Sequence, residues 1–337
     1  MEKLLSICIP TFNRAEELDR QLAWLAQEMQ SFGSECEIIV SDNCSDDHTP
    51  TVVSKWQSAF AHTTLKSNRH SENRGWMRNF IYCLTTASGR FTWIIGDDDR
   101  IYAGALARVL QTLQQTPNLA LMYLNFTDHN PLTGEVLAQH WFDPELERAD
   151  CTQGQAIFQH CLQNIGSVIF ITATIYRTQF AREALQRWPD CFQNWAGLAY
   201  WSAYCATQGS VVVTRDNYLE CTVGMSYWQK DPKAWFKIRH WDIPEIYIKL
   251  QQEGYATDFC RHMVFKLVRE DLFSRESFSH LKYALWCFLQ APRWTMTIVA
   301  GYIRFLWILT LSNPSSQSPH RLCSSAFAGS SISAKTF

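Results

Sequence analysis

No GxGxxG follows the first apolar run of this chain and no GxxxxGK[ST] occurs anywhere in it. The first absence speaks against a dinucleotide-binding crevice and the second against a P-loop NTPase. Twelve cysteines are present but none forms a CxxC pair, which leaves neither a zinc cluster nor a redox pair of ordinary spacing. A surplus of charge is missing as well: 30 Lys and Arg stand against 32 Asp and Glu, net −2, so no overall basic field exists to neutralise phosphates and a nucleic-acid partner is not expected. A secretory leader is also not expected, because Leu4 to Pro10 is a short apolar run preceded by one Lys and followed at once by Thr11-Phe12-Asn13-Arg14. The cysteines then read as buried or reactive thiols in a reducing cytoplasm, and the sequons at Asn43 and Asn125 as chance matches. Disorder as the main state is excluded by 337 residues that are 47% hydrophobic and only 18% charged.

The balanced total hides an asymmetry. Through Trp228 there are 16 Lys and Arg against 24 Asp and Glu, and from Gln229 to Thr310 there are 12 against 8. An acidic front half therefore precedes a basic, aromatic back half. Over the first 126 residues short apolar runs alternate with longer helical patterns, which predicts β-α-β units around a mostly parallel sheet. Strands are expected at Leu4–Ile9, Glu37–Val40, Phe91–Ile95 and Leu119–Phe126, with helices at Ala15–Gln30, from Thr49, at Trp76–Thr86 and at Ile101–Gln115. Thr127–Gln155 reads as loops, Ser167–Tyr176 as a strand rich in β-branched residues, Trp195–Thr207 as a helix and Ser210–Thr214 as a strand.

Three polar clusters fall just past predicted strand ends: Thr11-Phe12-Asn13-Arg14, Ser41-Asp42-Asn43 and Asp97-Asp98-Asp99. In a parallel sheet such clusters share one edge, where ligands bind. Three consecutive carboxylates raise each other's pKa unless something positive lies among them. A divalent cation, Mn2+ or Mg2+, shared with the phosphates of a diphosphate-bearing ligand is one partner; a solvated acidic turn capping the next helix is the other reading.

The motifs Ile7-Cys8-Ile9-Pro10-Thr11-Phe12-Asn13-Arg14, Glu37 to Asp47, Asn73-Arg74-Gly75-Trp76-Met77-Arg78-Asn79 and Trp93-Ile94-Ile95-Gly96-Asp97-Asp98-Asp99 resemble, in order and spacing, the family-2 glycosyltransferases of the GT-A fold. Among these, the chain is similar to the abequosyltransferase-like enzymes of bacterial O-antigen and surface-polysaccharide assembly. The resemblance implies an α/β, Rossmann-like, mixed and mostly parallel sheet flanked by helices. It implies that Pro10, Thr11 and Arg14 line a nucleotide pocket, that Asp42 bonds the base, and that Asn73, Gly75 and Arg78 lie along the nucleoside and diphosphate. Asp97 then faces the ribose, Asp98 is the metal ligand and Asp99 flanks it. The family's acidic motif is Asp-x-Asp-Asp, whereas Gly96 holds the first place here. Its usual base is an acidic residue at the start of a helix on the acceptor side, where this chain reads Trp188-Pro189-Asp190-Cys191-Phe192-Gln193-Asn194-Trp195. Asp190 is the candidate base, with Asp143 as the alternative. The expected reaction is inverting transfer of one sugar from a nucleotide-diphosphate donor to a polyprenyl-diphosphate-linked glycan.

Residues 1–225 are therefore expected to be the GT-A domain, split into a nucleotide-sugar half (1–126) and an acceptor half (127–225), followed by a helical region at 226–312 and a disordered tail at 313–337. Lys230, Lys233, Lys237 and Arg239 beside Trp228, Trp235 and Trp241 suit a membrane surface or an ordinary solvated helix face. The most apolar stretch, Leu281–Leu311, is broken by Pro292-Arg293 and carries Arg304, so an interfacial or re-entrant pair of helices fits better than a clean span. The enzyme is expected to be cytoplasmic and peripheral to the inner face of the membrane. Two rivals stay open: a nucleotidyl- or phosphotransferase in the same acidic crevice, and a non-catalytic nucleotide- or glycan-binding member of an assembly complex, which the missing Glu-Asp pair allows.

Overall fold

Two apolar runs open the sheet, β1 (Leu5–Thr11) and β2 (Cys36–Asp42), and every residue of both is buried, as in parallel strands covered on both faces. The computed structural model describes residues 3–32, 34–60, 64–130, 133–222, 231–272 and 289. Between the two strands α1 (Ala15–Glu28) buries Leu18, Gln21, Leu22 and Leu25, an apolar stripe at helical spacing with one amide in it. Pro50 sits in the first turn of α2 (Thr49–Ala59), where its missing N–H leaves no bond unmade. β3 (Thr64–Arg69) forms the edge strand. Gly75, at φ 82°, turns the chain into α3 (Trp76–Thr86), a left-handed conformation that costs glycine little. β4 (Phe91–Ile94) is again buried throughout.

β3, β2, β1 and β4 pair in that order, all parallel, with Thr11 opposite Asp42 and Cys8 opposite Ile94. Their carboxyl ends thus share one edge. Beyond β4 the sheet is mixed: β8 (Thr174–Arg177) joins antiparallel and links β4 to β6 (Leu119–His129), which runs parallel to β9 (Ser210–Thr222). β5 (Arg100–Ile101) and β7 (Val136–Ala138) add short antiparallel edges. Helices α4 (Ala105–Gln115), α5 (Gly154–Cys161), α6 (Ile165–Val168), α7 (Thr178–Arg187) and α8 (Gly197–Gln208) complete the layers. Gly197 to Ala206 of α8 is buried on every side, the mark of a core helix.

Several expected boundaries move. The helix expected from Ile101 starts at Ala105, because Arg100 and Ile101 pair with Glu220 and Leu219 and are drawn into the sheet. The strand expected over Ser167–Tyr176 shrinks to β8. Asn164 caps α6 by accepting the Gly166 N–H and the Ser167 hydroxyl bonds back to the Asn164 carbonyl at 2.7 Å, local bonds that override β propensity. The stretch read as loops contains the end of β6, β7 and the start of α5. All ten cysteines among the described residues are free thiols, seven of them buried.

After β9 come α9 (Pro232–Lys237), a π-helical turn at Ile238–Asp242, α10 (Ile243–Gln252) and α11 (Thr257–Leu272). Among the described residues no helix is long and apolar enough to cross a membrane. Leu281–Leu311, apart from Leu289, and the tail 313–337 lie outside the described residues.

Candidate active site

Where β1 and β4 end side by side, four residues meet. The Thr11 hydroxyl donates to Asp97 Oδ2 at 2.7 Å, and the Arg14 guanidinium donates to Asp97 Oδ1 at 3.2 Å and to Asp98 Oδ2. Asp99 turns the other way and accepts from the Thr172 hydroxyl, whose oxygen in turn accepts the Gly96 N–H at 2.8 Å. A Cβ on residue 96 would collide with Asp99 Oδ2. The glycine that departs from the family's acidic pattern therefore makes room for the folded-back carboxylate. Burial pushes Asp97 up to about 6 against the bonds from Thr11 and Arg14. It pushes Asp99 up to about 7, with the charge of Asp98 adding and Thr172 opposing. Arg14 is the positive group among the carboxylates, and Asp98 remains exposed.

Among the described residues no three His, Cys, Asp or Glu side chains are arranged to hold a metal by themselves. A hard cation that takes one or two carboxylates and completes its shell with phosphate oxygens and water needs no such cage. Open Asp98, between the carboxylates of Asp97 and Asp99, fits that donor set.

The loops after β1 and β2 are laced together. Asp42 is buried, its Oδ1 accepts the Ser45 N–H at 2.9 Å and hydroxyl at 2.6 Å, and Arg69 Nε lies 3.4 Å from its Oδ2. Asn13 (φ 53°) donates its N–H to Ser45 Oγ at 2.9 Å and accepts the Asp46 N–H at 2.9 Å. Asp47 accepts from Ala15 and Thr49, the first residues of α1 and α2. Asn73 accepts from the Asn43 amide at 2.8 Å and the Gly75 N–H at 2.9 Å, so it builds the turn into α3. Pro10 is buried within β1, opposite Ser41. Arg78 is exposed, with its guanidinium 4.2 Å from the Phe192 ring. Sequence reasoning missed Arg69 and gave no separate role to Asn13, Ser45 and Asp47, although they lie in its polar clusters and motifs; the spacing Asp42-x-x-Ser45, an Asx-type turn, is a local signal for one of them.

Thr11, Arg14, Asp97 and Asp98 thus touch, Asp42, Asn73 and Gly75 build the neighbouring loops, and Asp190 stands apart. It is exposed in the 3-10 turn Pro189–Gln193 and makes no hydrogen bond to the cluster. Asp143 accepts the Glu145 N–H at 3.0 Å as a cap and lies 3.5 Å from His160 Nε2. The segment leading into α8 draws its carboxylates from elsewhere: Asp242 accepts the Trp195 N–H at 3.2 Å, and Glu245 accepts from the Asn194 amide at 2.9 Å. Asp242 also takes Lys237 Nζ at 2.6 Å, and Trp241 is buried, so part of the basic, aromatic cluster expected to face a membrane is packed inside the protein.

A parallel β3-β2-β1-β4 edge carrying these loops, continued by a mixed half, defines the GT-A class of fold. Residues 6–167 match the model of glycosyl transferase family 2. The chain is similar to the abequosyltransferase RfbV of Salmonella typhimurium, 37% identical over 109 residues that make up 32% of each protein. It is also similar to the GalNAc(5)-diNAcBac-PP-undecaprenol beta-1,3-glucosyltransferase of Campylobacter jejuni, 35% identical over 107 residues, 32% of this chain and 33% of that one. The aligned stretch thus spans about a third of the curated relatives' length. Among solved structures, S. aureus TarS 1-349 in complex with UDP-GlcNAc superposes with a TM-score of 0.58 over 90% of this chain and 81% of that one, at 16% identity, a likeness of fold.

Proposed function

We propose that this chain is an inverting glycosyltransferase that moves one sugar from a nucleotide-diphosphate donor to a polyprenyl-diphosphate-linked glycan in O-antigen-like surface polysaccharide assembly. The observation that carries the reading is the contact of Thr11, Arg14, Asp97 and Asp98 at the carboxyl edge of the parallel strands. In this reading the base lies by the Asp42 loop, with Pro10, Asn73 and Gly75 shaping that wall. Asp97 takes the ribose, and Arg14 and Arg78 face the diphosphate, where fixed positive charge stabilises the leaving group as its charge grows. A divalent cation held by Asp98 and flanked by Asp99 supplies further charge neutralisation to the diphosphate. Asp190, the one acid in the segment 188–195, takes the proton from the acceptor hydroxyl as general base. Residues 1–225 form the transferase domain in this reading, the helical region 226–312 attaches to the membrane surface, and the enzyme works at its cytoplasmic face.

The test is thermal unfolding of the full chain with UDP, GDP, CDP and dTDP, each with Mn2+ and with chelator. A ligand that binds only the folded state stabilises it, by about 2.7 kcal/mol at a hundred times its dissociation constant. One nucleotide is expected to raise the unfolding temperature with Mn2+ and not with chelator. No shift with any of them overturns the reading. The exposed place of Asp190, with no hydrogen bond to the Thr11, Arg14, Asp97 and Asp98 cluster, favours one rival, a nucleotide-binding protein that does not transfer; donor hydrolysis by the purified chain separates the two.

A further inference from the structure

Between α7 and α8 the chain from Pro189 to Gly197 makes one 3-10 turn and is held from two sides. Its front touches α3. The Phe192 ring lies 4.2 Å from the Arg78 guanidinium, and the Trp195 ring meets that of Trp76 at 6.5 Å. Its back is tied to the helices after β9. Asn194, 2% exposed, donates to the Asp242 carbonyl and to Glu245 Oε2, both at 2.9 Å. The Trp195 N–H donates to Asp242 Oδ2 at 3.2 Å, and Lys237 Nζ donates to the Gln193 carbonyl at 3.1 Å and to Asp242 Oδ1 at 2.6 Å. Three consecutive residues, Gln193, Asn194 and Trp195, are thus bonded to α9, the π-helical turn and α10.

The π-helical turn follows from Pro244. In the first turn of α10 this residue has no N–H for the His240 carbonyl, and in an unbroken α-helix its ring would crowd that carbonyl. The turn before it widens, and the Ile243 N–H donates five residues back to the Ile238 carbonyl. Turns of this kind are rare and frequent at functional sites. Here the widened turn ends on Asp242, whose buried carboxylate and whose carbonyl both take bonds from the segment before α8.

Arg78 is the group on which that segment can act. It is exposed on α3, three residues past Gly75, and among the described residues its guanidinium has no hydrogen bond or ion pair; the Phe192 ring is its fixed contact. An unheld arginine loses much rotamer freedom when it binds a ligand, and holding it beforehand lowers that cost. We propose that the segment from Pro189 to Gly197 is a strap through which α9, the π-helical turn and α10 hold Arg78 ready for the donor, with Phe192 and Asp242 as positioning residues for donor binding. The inference rests on the glycosyltransferase reading above, which sets Arg78 at the diphosphate, and extends it to residues that touch no part of the donor.

Calorimetric titration of the full chain with UDP, GDP, CDP and dTDP, each with Mn2+, selects the diphosphate that binds most tightly, and the variants are compared on it. Arg78→Met is expected to weaken it. Phe192→Leu should weaken it about three- to fivefold, the scale of one exposed cation–π contact, while Phe192→Tyr, which keeps the ring, should bind like the wild type. Asp242→Asn should weaken it about twofold, being one contact further away. Residues that act through one another are not additive, so in the Arg78→Met background neither Phe192→Leu nor Asp242→Asn should change binding further. Losses that persist in that background would show a structural role alone and overturn the inference, as would undiminished binding by Phe192→Leu. A loss with Phe192→Leu and none with Asp242→Asn would overturn the part given to the helices after β9. Circular dichroism checks that each variant folds, and Phe192→Met stands in for a leucine variant that does not. Unchanged binding by Arg78→Met overturns the inference and leaves the diphosphate pocket standing. A wild type that binds none of the four diphosphates overturns the glycosyltransferase reading, and the inference with it.

Discussion

Asp98 carries a charge that the chain only half answers. Arg14 meets one of its oxygens while also serving Asp97, and the side chain stays exposed. Asp98→Asn keeps the shape and a hydrogen-bond acceptor but removes the charge. Transfer should fall at least about a hundredfold, the scale of losing one preorganised electrostatic contact, with the unfolding temperature unchanged; retained turnover would sink the assignment. Asp242 offers a pH test of a different kind. Burial pushes it up to about 6 although Lys237 opposes, and Glu245 adds to the rise. The folded chain thus holds this proton more tightly than the unfolded chain. That contribution is full below about pH 4, the ordinary aspartate range, and is lost as the pH rises through about 6. Urea midpoints of the wild type should therefore fall relative to those of Asp242→Asn between pH 4 and 7, and a constant difference would refute it. The acidic turn was legible in the sequence because three like charges in a row demand a partner. Thr172 was not, nor was the reason for Gly96, since the bond between them joins residues 76 positions apart.

At the scale of elements, the front half was legible because parallel strands buried on both faces leave continuous apolar runs and their helices carry one stripe. What patterning does not reveal is how the far edge of the sheet is tied. Glu37, 1% exposed on β2, accepts from the Ser6 hydroxyl at 2.5 Å, the Ser88 N–H at 2.6 Å and Lys66 Nζ at 2.7 Å. One carboxylate thus fastens β1, β3 and the turn before β4 to β2. Burial alone would raise its pKa, but these bonds outweigh it and hold it at about 2. Its stabilisation is present above the ordinary glutamate range and is lost as the pH falls through about 2. Glu37→Leu strands three donors and should cost about 3 kcal/mol, read as a lower urea midpoint with donor binding intact where the variant folds. A midpoint within error of the wild type would show that the three donors find other acceptors. The failures at this scale share one cause. Ser167 and Asn164 turn β-branched sequence into a helical turn with local bonds, and Arg100-Ile101, too short to show a period, joins a strand far along the chain.

For the whole molecule, the question is where the basic surplus of the back half acts. From Gln229 to Thr310 Lys and Arg exceed Asp and Glu by four, yet Lys237 is bonded to Asp242 and to the Gln193 carbonyl, and Trp241 is buried. Part of that surplus therefore holds α9 and the π-helical turn against the segment before α8. In the reading proposed above, attachment to a bilayer then falls to the apolar stretch from Leu281, whose sequence carries Arg293 and Arg304, residues that suit an interface with anionic headgroups better than its interior. Among the described residues all strands of the sheet, and every residue assigned to the donor, precede it. The full chain should float with vesicles containing anionic lipid, and a chain ended at His280 should stay in solution while keeping the nucleotide-dependent rise in unfolding temperature. A shortened chain that still floats would move the membrane face to the helices between Asp231 and Leu272. One that folds but no longer binds nucleotide would make the back helices part of the donor site, and the boundary at residue 225 would then divide a single functional unit.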